Sequence, residues 1–208
     1  MDLKLKNKVA MVAASSKGLG YGIAKALGQE GALLSIGSRN KENIELAAEK
    51  LRKETGTKVL ASKLDSSNLD SICQWKNATL KEFGCVDKLV VNAGGPPTGK
   101  FEDFSDNDWQ AAFELTLLSA VRMIREILPL MRKTHSGSIL TITSMSVKEP
   151  IDVLILSNVM RSGVTSLIKS LSLQLAQYNI RLNNLMPGRI STERIKTLDT
   201  LKSKAQGI

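Results

Sequence analysis

Short apolar runs alternate with longer amphipathic stretches along the whole chain. The apolar runs are rich in Val, Ile and Leu and do not alternate strictly with polar residues, which is typical of parallel strands buried on both faces. They cover residues 9–14, 32–37, 58–64, 88–94, 137–144 and 180–188. Stretches with the periodicity of a helix lie between them, at residues 18–31, 40–56, 67–84, 106–134 and 152–178.

Strands that alternate with helices predict one α/β domain over residues 1–208. We expect a doubly wound parallel sheet of the Rossmann type, with the strand order 3-2-1-4-5-6. Right-handed crossovers between parallel strands leave few other topologies. Because ligands of such folds bind beyond the carboxyl ends of the strands, the functional residues are expected there.

The composition argues against several classes of function. Two cysteines outside any CxxC pattern and a single histidine, His135, do not supply a usual metal site or a His-based triad, so no metal is expected. No window approaches the roughly 20 apolar residues of a membrane span. The N-terminus also lacks the apolar core of a signal peptide, which favours a cytoplasmic protein without a membrane partner.

The net charge of +9 is spread over amphipathic stretches, and aromatic residues make up only 4% of the chain. Nucleic-acid sites combine basic runs with aromatic residues, so nucleic acid is not an expected partner. A basic surface of this kind agrees with an anionic small-molecule ligand.

The first apolar run ends in a turn that is suited to phosphate. The segment AASSKGLG leads from the strand directly into a helix. Gly18 and Gly20 allow close approach of a pyrophosphate to the helix N-terminus, and the hydroxyls of Ser15 and Ser16 can donate hydrogen bonds to it. Ala14 stands where the usual pattern has a glycine, and it fits this place if its φ is negative.

Two basic residues follow the first two strands. Lys17 lies in the turn just described, and Arg39 follows the second strand. NAD-binding folds often place an acid at the latter point for the ribose hydroxyls. The two cations favour the 2′-phosphate of NADP(H) over NAD(H). The alternative is that both are ordinary solvated side chains.

Three segments resemble the short-chain dehydrogenase/reductase family, in the family's order and spacing. They are VVNAGG at residues 90–95, TSMS at 143–146 and NNLMPGRIST at 183–192. The resemblance runs from about residue 7 to residue 200 and extends to proteins labelled 3-oxoacyl-[acyl-carrier-protein] reductase. It implies an NADP(H)-dependent oxidoreductase that acts on a small-molecule carbonyl or alcohol, possible substrates including 3-oxoacyl thioesters.

The resemblance also implies which residues hold the cofactor. Asp65 resembles the acid that binds the adenine amine, residues 92–94 the segment under the adenosine ribose, and residues 187–192 the segment that holds the nicotinamide carboxamide. The full set of expected cofactor contacts is Ala14, Ser15, Ser16, Lys17, Gly18, Leu19, Gly20, Arg39, Asp65, Ser66, Asn92, Ala93, Gly94, Pro187, Gly188, Ile190 and Thr192.

The catalytic positions depart from the family pattern. Ser144 matches the family's serine, which hydrogen-bonds the substrate carbonyl. Ser157 and Arg161 stand where the family has the tyrosine and lysine of Tyr-x-x-x-Lys, and Thr116 replaces an asparagine of the long helix. A serine hydroxyl is a far weaker acid than that of tyrosine, whereas arginine keeps the positive charge of lysine.

Three interpretations of this change stay open. Arg161 could stabilise a substrate alkoxide electrostatically, while Ser144 donates a hydrogen bond and water delivers the proton. The protein could bind NADP(H) without turnover, as a sensor or scaffold. Finally, Arg161 could clamp a carboxylate or phosphate of an unusual substrate.

Two further expectations follow from the resemblance. Family members associate through the helices at 106–134 and 152–178, so a homodimer or homotetramer is expected. Family members also continue past the PGRIST segment with a lid over the substrate and a seventh strand, both expected to be absent from this sequence.

Overall fold

The computed structural model describes residues 1–193, 195, 199 and 200, and its centre is a six-stranded parallel sheet. The strands are β1 (Val9–Ala13), β2 (Leu33–Ser38), β3 (Val59–Lys63), β4 (Lys88–Val91), β5 (Gly137–Ile142) and β6 (Ile180–Leu185). Their order in the sheet is β3-β2-β1-β4-β5-β6. At the centre, Met11 of β1 pairs with Ser35 of β2 on one side and Leu89 of β4 on the other. The predicted fold class and strand order are confirmed.

Helices connect the strands and cover both faces of the sheet. They are α1 (Gly18–Gln29), α2 (Lys41–Thr55), α3 (Leu69–Phe83), α4 (Asp106–Ala112), α5 (Ser119–Thr134) and α6 (Ile155–Leu175). A π-helical segment, Phe113–Leu118, joins α4 to α5, and short 3-10 turns lie at Phe101–Asp103, Met145–Val147 and Ala176–Tyr178. None of the helices within the described residues is long and apolar enough to cross a membrane.

Each face of the sheet has its own apolar core, which explains why the strands lack strict alternation. All five residues of β1 are buried. Met11 and Ala13 pack into the core that contains Trp75 and Met123 from α3 and α5. The intervening Ala10 and Val12 join the other core, with residues of α1 and α2.

The prediction of one helix over 106–134 needs correction. The chain there is α-helical, then π-helical, then α-helical again, with Pro129 inside α5. Apolar periodicity does not reveal such a change, because one wider turn leaves the buried stripe nearly in place. Single π-turns inside α-helices occur often at functional sites, and Leu115 of this segment lies on the cleft described below.

The strand order reverses between β1 and β4, which are neighbours although they are not consecutive. The connection from β1 to β2 and the connection from β4 to β5 therefore run in opposite directions along the sheet. A crevice opens between them at the carboxyl ends of the strands. The predicted absence of a lid and a seventh strand concerns residues past 200, which lie outside the described residues.

Candidate functional site

A cleft of about 490 Å³ opens at the carboxyl edge of the sheet. Its walls come from the turn after β1, the ends of β2 to β5, the π-helical segment and α6. The lining residues are Ala14, Ser16, Lys17, Gly18, Leu19, Ser38, Arg39, Asn40, Asn43, Leu64, Ser66, Asn92, Ala93, Gly94, Gly95, Leu115, Ile142, Thr143, Arg161, Thr192 and Glu193. From β3, whose end supplies Leu64 and Ser66, to β5 the cleft crosses four strand spacings, or about 19 Å.

The turn between β1 and α1 uses two residues in left-handed backbone conformations. Gly18 has a φ of 61° and Ala14 a φ of 49°. Ala14 therefore does not meet the condition of a negative φ that was set for an alanine at this place. The turn reverses direction too tightly for the ordinary β or α regions, and alanine accepts a conformation that costs it roughly 1–2 kcal/mol.

Ser15 lies beneath this turn rather than on the cleft. Its side chain is fully buried, its Oγ donates to the carbonyl oxygen of Val12 at 2.8 Å, and it accepts from the Gly37 N–H at 3.3 Å. This geometry contradicts the prediction that its hydroxyl donates to a phosphate. Ser15 ties the turn to β2, whereas Ser16 lines the cleft.

Gly20 and Asn92 support the turn from inside. A Cβ at residue 20 would meet the Ala14 carbonyl oxygen at 2.3 Å, so glycine is required by the close approach of α1 to the end of β1. The buried Asn92 side chain donates from Nδ2 to the carbonyl oxygens of Ala13 and Ala14, each at 3.3 Å. Both residues shape the turn from behind, and Asn92 also lines the cleft.

The N-terminus of α1 points its backbone donors at the cleft. Lys17 is the N-cap and its side chain makes no capping hydrogen bond. The first N–H groups of a helix lack intrahelical acceptors and attract anions. Lys17 and Arg39 are exposed and line the cleft, and neither forms an ion pair with another described residue. The helix N-terminus and the two cations therefore make this end of the cleft suited to an anion.

The other expected cofactor contacts divide into two groups. Ser66, Ala93, Gly94 and Thr192 line the cleft, as the resemblance implies. Asp65 does not line the cleft, although its neighbours in sequence do. Its Oδ1 accepts from the Ser67 N–H at 3.0 Å. The residues expected to hold a carboxamide, Pro187, Gly188 and Ile190, are not part of the lining.

Three of the four expected catalytic residues are not on the lining, namely Ser144, Thr116 and Ser157. Ser144 Oγ accepts from the Ser146 N–H at 3.1 Å, which leaves its hydroxyl proton available to donate. Thr116 belongs to the π-helical segment and is buried, and its Oγ1 has no hydrogen-bond partner among the described residues. A buried hydroxyl without a partner is costly, so this one is a candidate for a bound water.

Arg161 lies on the cleft wall, and α6 aligns it with Ser157 one turn earlier. Its Nε donates to Ser157 Oγ at 3.1 Å. Its Nη1 donates to the carbonyl oxygens of Ile142 at 2.8 Å and Thr143 at 3.3 Å. Arg161 thus brings a permanent positive charge to the end of β5, and Ser157, which is buried, serves as its acceptor.

The two tyrosines do not supply an acid at the cleft. Tyr21 donates to Glu54 at 2.9 Å, and its burial together with that carboxylate raises the pKa of Tyr21 to about 12. Tyr178 lies near His135, with ring centroids 5.9 Å apart, and neither residue lines the cleft. The described lining contains no tyrosine.

Some lining residues escaped the sequence analysis. Ser38 and Thr143 stand at strand ends, so their position could have indicated them. Asn43 and Leu115 reach the cleft from helices, and only the packing of those helices reveals this.

Comparisons with known proteins agree with this geometry. Residues 8–202 match the family model described as short chain dehydrogenase. "Dehydrogenase/reductase SDR family member 4" of Oryctolagus cuniculus is 33% identical over 205 residues, which cover 98% of this chain and 78% of the relative. The 3-oxoacyl-[acyl-carrier-protein] reductase FabG of Chlamydia muridarum is 31% identical, with 98% of this chain and 83% of the relative covered.

Solved structures give the same result. L-sorbose reductase from Gluconobacter frateurii, complexed with NADPH and L-sorbose, has a TM-score of 0.93 and 30% identity, with 98% of this chain and 78% of that chain covered. A 7α-hydroxysteroid dehydrogenase complexed with NADH and 7-oxo glycochenodeoxycholic acid has a TM-score of 0.89 and 26% identity, with 94% of this chain and 76% of that chain covered.

Proposed function

Because the chain belongs to the short-chain dehydrogenase family, we propose that it is an oxidoreductase that uses NADP(H). It acts on the carbonyl or alcohol of a small molecule, with a proton-delivery site that works without a tyrosine. The observation that carries this proposal is the cleft at the switch point of the sheet, with Lys17 and Arg39 at one end and Arg161 at the other.

The residues of the cleft fit a dinucleotide. The N-terminus of α1 has no side-chain cap and faces the lining, which suits a pyrophosphate. A Cβ at Gly94 or Gly188 would meet nothing within 4 Å, so the backbone is open there. In this proposal Asp65 and Ser66 lie on the adenine side, and residues 187–192 hold the carboxamide.

The preference for NADP(H) rests on the end of β2. The lining there consists of Ser38, Arg39, Asn40 and Asn43, without a carboxylate to bind ribose hydroxyls. Arg39 and Lys17 instead supply charge-assisted donors for a 2′-phosphate. Relatives in this family use both forms of the cofactor, as the NADPH and NADH complexes above illustrate.

The cofactor preference is tested by fluorescence titration with NADPH and NADH. Lys17→Ala/Arg39→Ala should weaken NADPH binding by about tenfold or more, the value of a charge-assisted hydrogen bond, and leave NADH binding nearly unchanged. The control is Lys53→Ala/Lys133→Ala, which removes the same charge from exposed positions elsewhere. Equal affinity of the wild type for NADPH and NADH would refute the preference.

The reacting end is built from residues that hold charge rather than release a proton. When bound, the nicotinamide supplies the hydride. The Ser144 hydroxyl donates a hydrogen bond to the substrate oxygen, and Arg161 stabilises the negative charge that develops on that oxygen. The arginine side chain keeps its protons at ordinary pH, so water delivers the proton.

Activity is tested by NADPH oxidation with a panel of ketones that includes 3-oxoacyl thioesters. Arg161→Ala should lose activity, whereas Ser157→Ala, which removes only an acceptor of the same guanidinium, should change it little. Unchanged activity in Arg161→Ala would remove this mechanism.

A second function, cofactor binding without turnover, is favoured by one specific observation. The guanidinium of Arg161 is already engaged with two backbone carbonyl oxygens and Ser157. These contacts occupy N–H groups that could otherwise donate hydrogen bonds to a substrate oxygen. Tight NADPH binding without oxidation across the panel would establish this second function.

We also propose self-association through the helices predicted for it. One face of α6 is exposed and carries Val159, Ser162, Ser166, Ser170 and Leu173. Leu173 is 82% exposed, which is unusual for a leucine in a helix unless a partner covers it.

A further inference from the structure

Asn184 of β6 joins three threonines behind the cleft wall. Its Oδ1 accepts from Thr141 Oγ1 at 2.8 Å and from Thr143 Oγ1 at 2.9 Å. Its Nδ2 donates to Thr165 Oγ1 of α6 at 2.9 Å. Thr141 and Thr143 are buried, so their hydroxyls depend on this amide oxygen for most of their hydrogen bonding. The amide therefore links β5, β6 and α6 at one point.

The same contacts close into a ring that contains Arg161. Thr165 Oγ1 donates to the Arg161 carbonyl oxygen at 3.0 Å. From the other end of that residue, the Arg161 guanidinium donates to the Thr143 carbonyl oxygen at 3.3 Å. Asn184, Thr165, Arg161 and Thr143 thus form a closed circuit of hydrogen bonds, in which both the backbone and the side chain of Arg161 are tied.

We propose that Asn184 and Thr165 are positioning residues for Arg161. An arginine side chain has several rotatable bonds and loses much entropy when it is held in one conformation. The hydrogen bonds of the ring, which also fix α6 against the end of β5, offset this loss of entropy. They keep the guanidinium on the cleft wall beside Thr143. This inference rests on the proposed function only for the role of Arg161 in the reaction. The position of its side chain is argued from the hydrogen bonds alone.

The proposal is tested on the protein without ligand, by the hydrogen exchange rate of the Arg161 Nε–H in a ¹⁵N NMR experiment. Arg161→Lys assigns the signal by its loss. Thr165→Val removes the link from Asn184 to Arg161 and keeps the shape of the side chain, and it should raise the exchange rate about fivefold, the value of one ordinary hydrogen bond. Thr165→Ser keeps the hydroxyl and should retain the wild-type rate.

Thr79→Val is a matched control. The Thr79 hydroxyl makes the same kind of contacts, with the Trp75 carbonyl oxygen one turn earlier at 2.8 Å and with Ser35 Oγ of a strand at 2.7 Å. It lies on α3, away from Arg161, so it should destabilise the fold without changing the Arg161 exchange rate.

Unchanged exchange in Thr165→Val would overturn the proposal, and so would an equal rise in Thr79→Val. Asn184→Val should reproduce the effect of Thr165→Val, and if it does not fold, the two Thr165 variants still decide. NADPH titration of the same variants should show weaker binding in Thr165→Val than in Thr165→Ser. Should the wild type bind no NADPH, the proposed function fails, while the exchange measurement still tests the position of Arg161.

Discussion

The turn at the cleft requires a residue without a side chain at Gly20. A Cβ there would lie 2.3 Å from the Ala14 carbonyl oxygen and 2.9 Å from Asn92 Nδ2, and real Cβ atoms do not come within 3.0 Å of such neighbours. The carbonyl belongs to the backbone of the phosphate turn and has no rotamer to change. In Gly20→Ala, α1 must therefore retreat from β1 by about 0.7 Å.

The cost can be worked from these contacts. Overpacking of a close contact costs typically about 1–3 kcal/mol. Displacement of Asn92 weakens its two hydrogen bonds to the turn, which adds about 1 kcal/mol. For a chain of 208 residues, each kcal/mol shifts the Tm by about 2–4 °C. Gly20→Ala should therefore lower the Tm by about 5–15 °C.

The control lies two residues further along the same helix. Gly22 is exposed, and a Cβ there would meet nothing within 4 Å. Gly22→Ala should raise stability by about 0.5–1 kcal/mol, because alanine loses less entropy in a helix. Both variants are compared by thermal unfolding followed by circular dichroism, with NADPH titration of the folded proteins. A Tm for Gly20→Ala within 2 °C of wild type would refute the reasoning.

Three further changes have definite expected outcomes. Ala14→Gly should leave the Tm unchanged or raise it, because relief of a positive φ outweighs the greater entropy of unfolded glycine, and a Tm lower by more than 2 °C in calorimetry would contradict this. The Lys76 ammonium holds the pKa of Glu126 below its ordinary value of 4.5, so the pair stabilises the fold fully above that pH and loses this effect as the pH falls through the folded-state pKa. In urea titrations, Glu126→Gln should therefore be less stable than wild type by about 1 kcal/mol at pH 7 and equally stable near pH 3. Leu173→Glu should reduce self-association in sedimentation velocity, and an unchanged oligomer would exclude this face of α6 as the interface.

The strands could be predicted from the sequence because burial on two faces leaves a strong signal. Every strand of the sheet falls within or one residue beyond a predicted run, and the carboxyl ends of β1 to β5 do line the cleft. Lys17 and Arg39 could be predicted as cleft residues for the same reason, because each follows the end of a strand that the sequence predicts. The order of the strands then followed from right-handed crossovers.

The details of the phosphate turn could not be read in this way. The left-handed φ of Ala14 arises from how the end of β1 must turn to let α1 pack beside it, and nothing local in the sequence signals it. Ser15 and Ser16 are chemically identical neighbours, yet one points into the core and the other into the cleft. Which of two adjacent hydroxyls reaches a ligand depends on the backbone path, and that path is a property of the packed fold.

The packed fold also bears on the two proposed functions, turnover and cofactor binding without turnover, because both depend on how Arg161 is held. The arginine at residue 161 could be read from the sequence, but its hydrogen bonds to Ile142 and Thr143 could not. A charge that is already held in place stabilises a developing negative charge without reorganisation, whereas a free arginine would first have to be ordered. In the proposed reaction, the contacts that occupy some of its donors would therefore also hold its charge in place. Arg161→Lys separates the two effects, because lysine keeps the charge but lacks the planar group that bonds both carbonyl oxygens. If NADPH oxidation falls in Arg161→Lys nearly as far as in Arg161→Ala, the held geometry matters as much as the charge. Full activity in Arg161→Lys would mean that the charge alone suffices.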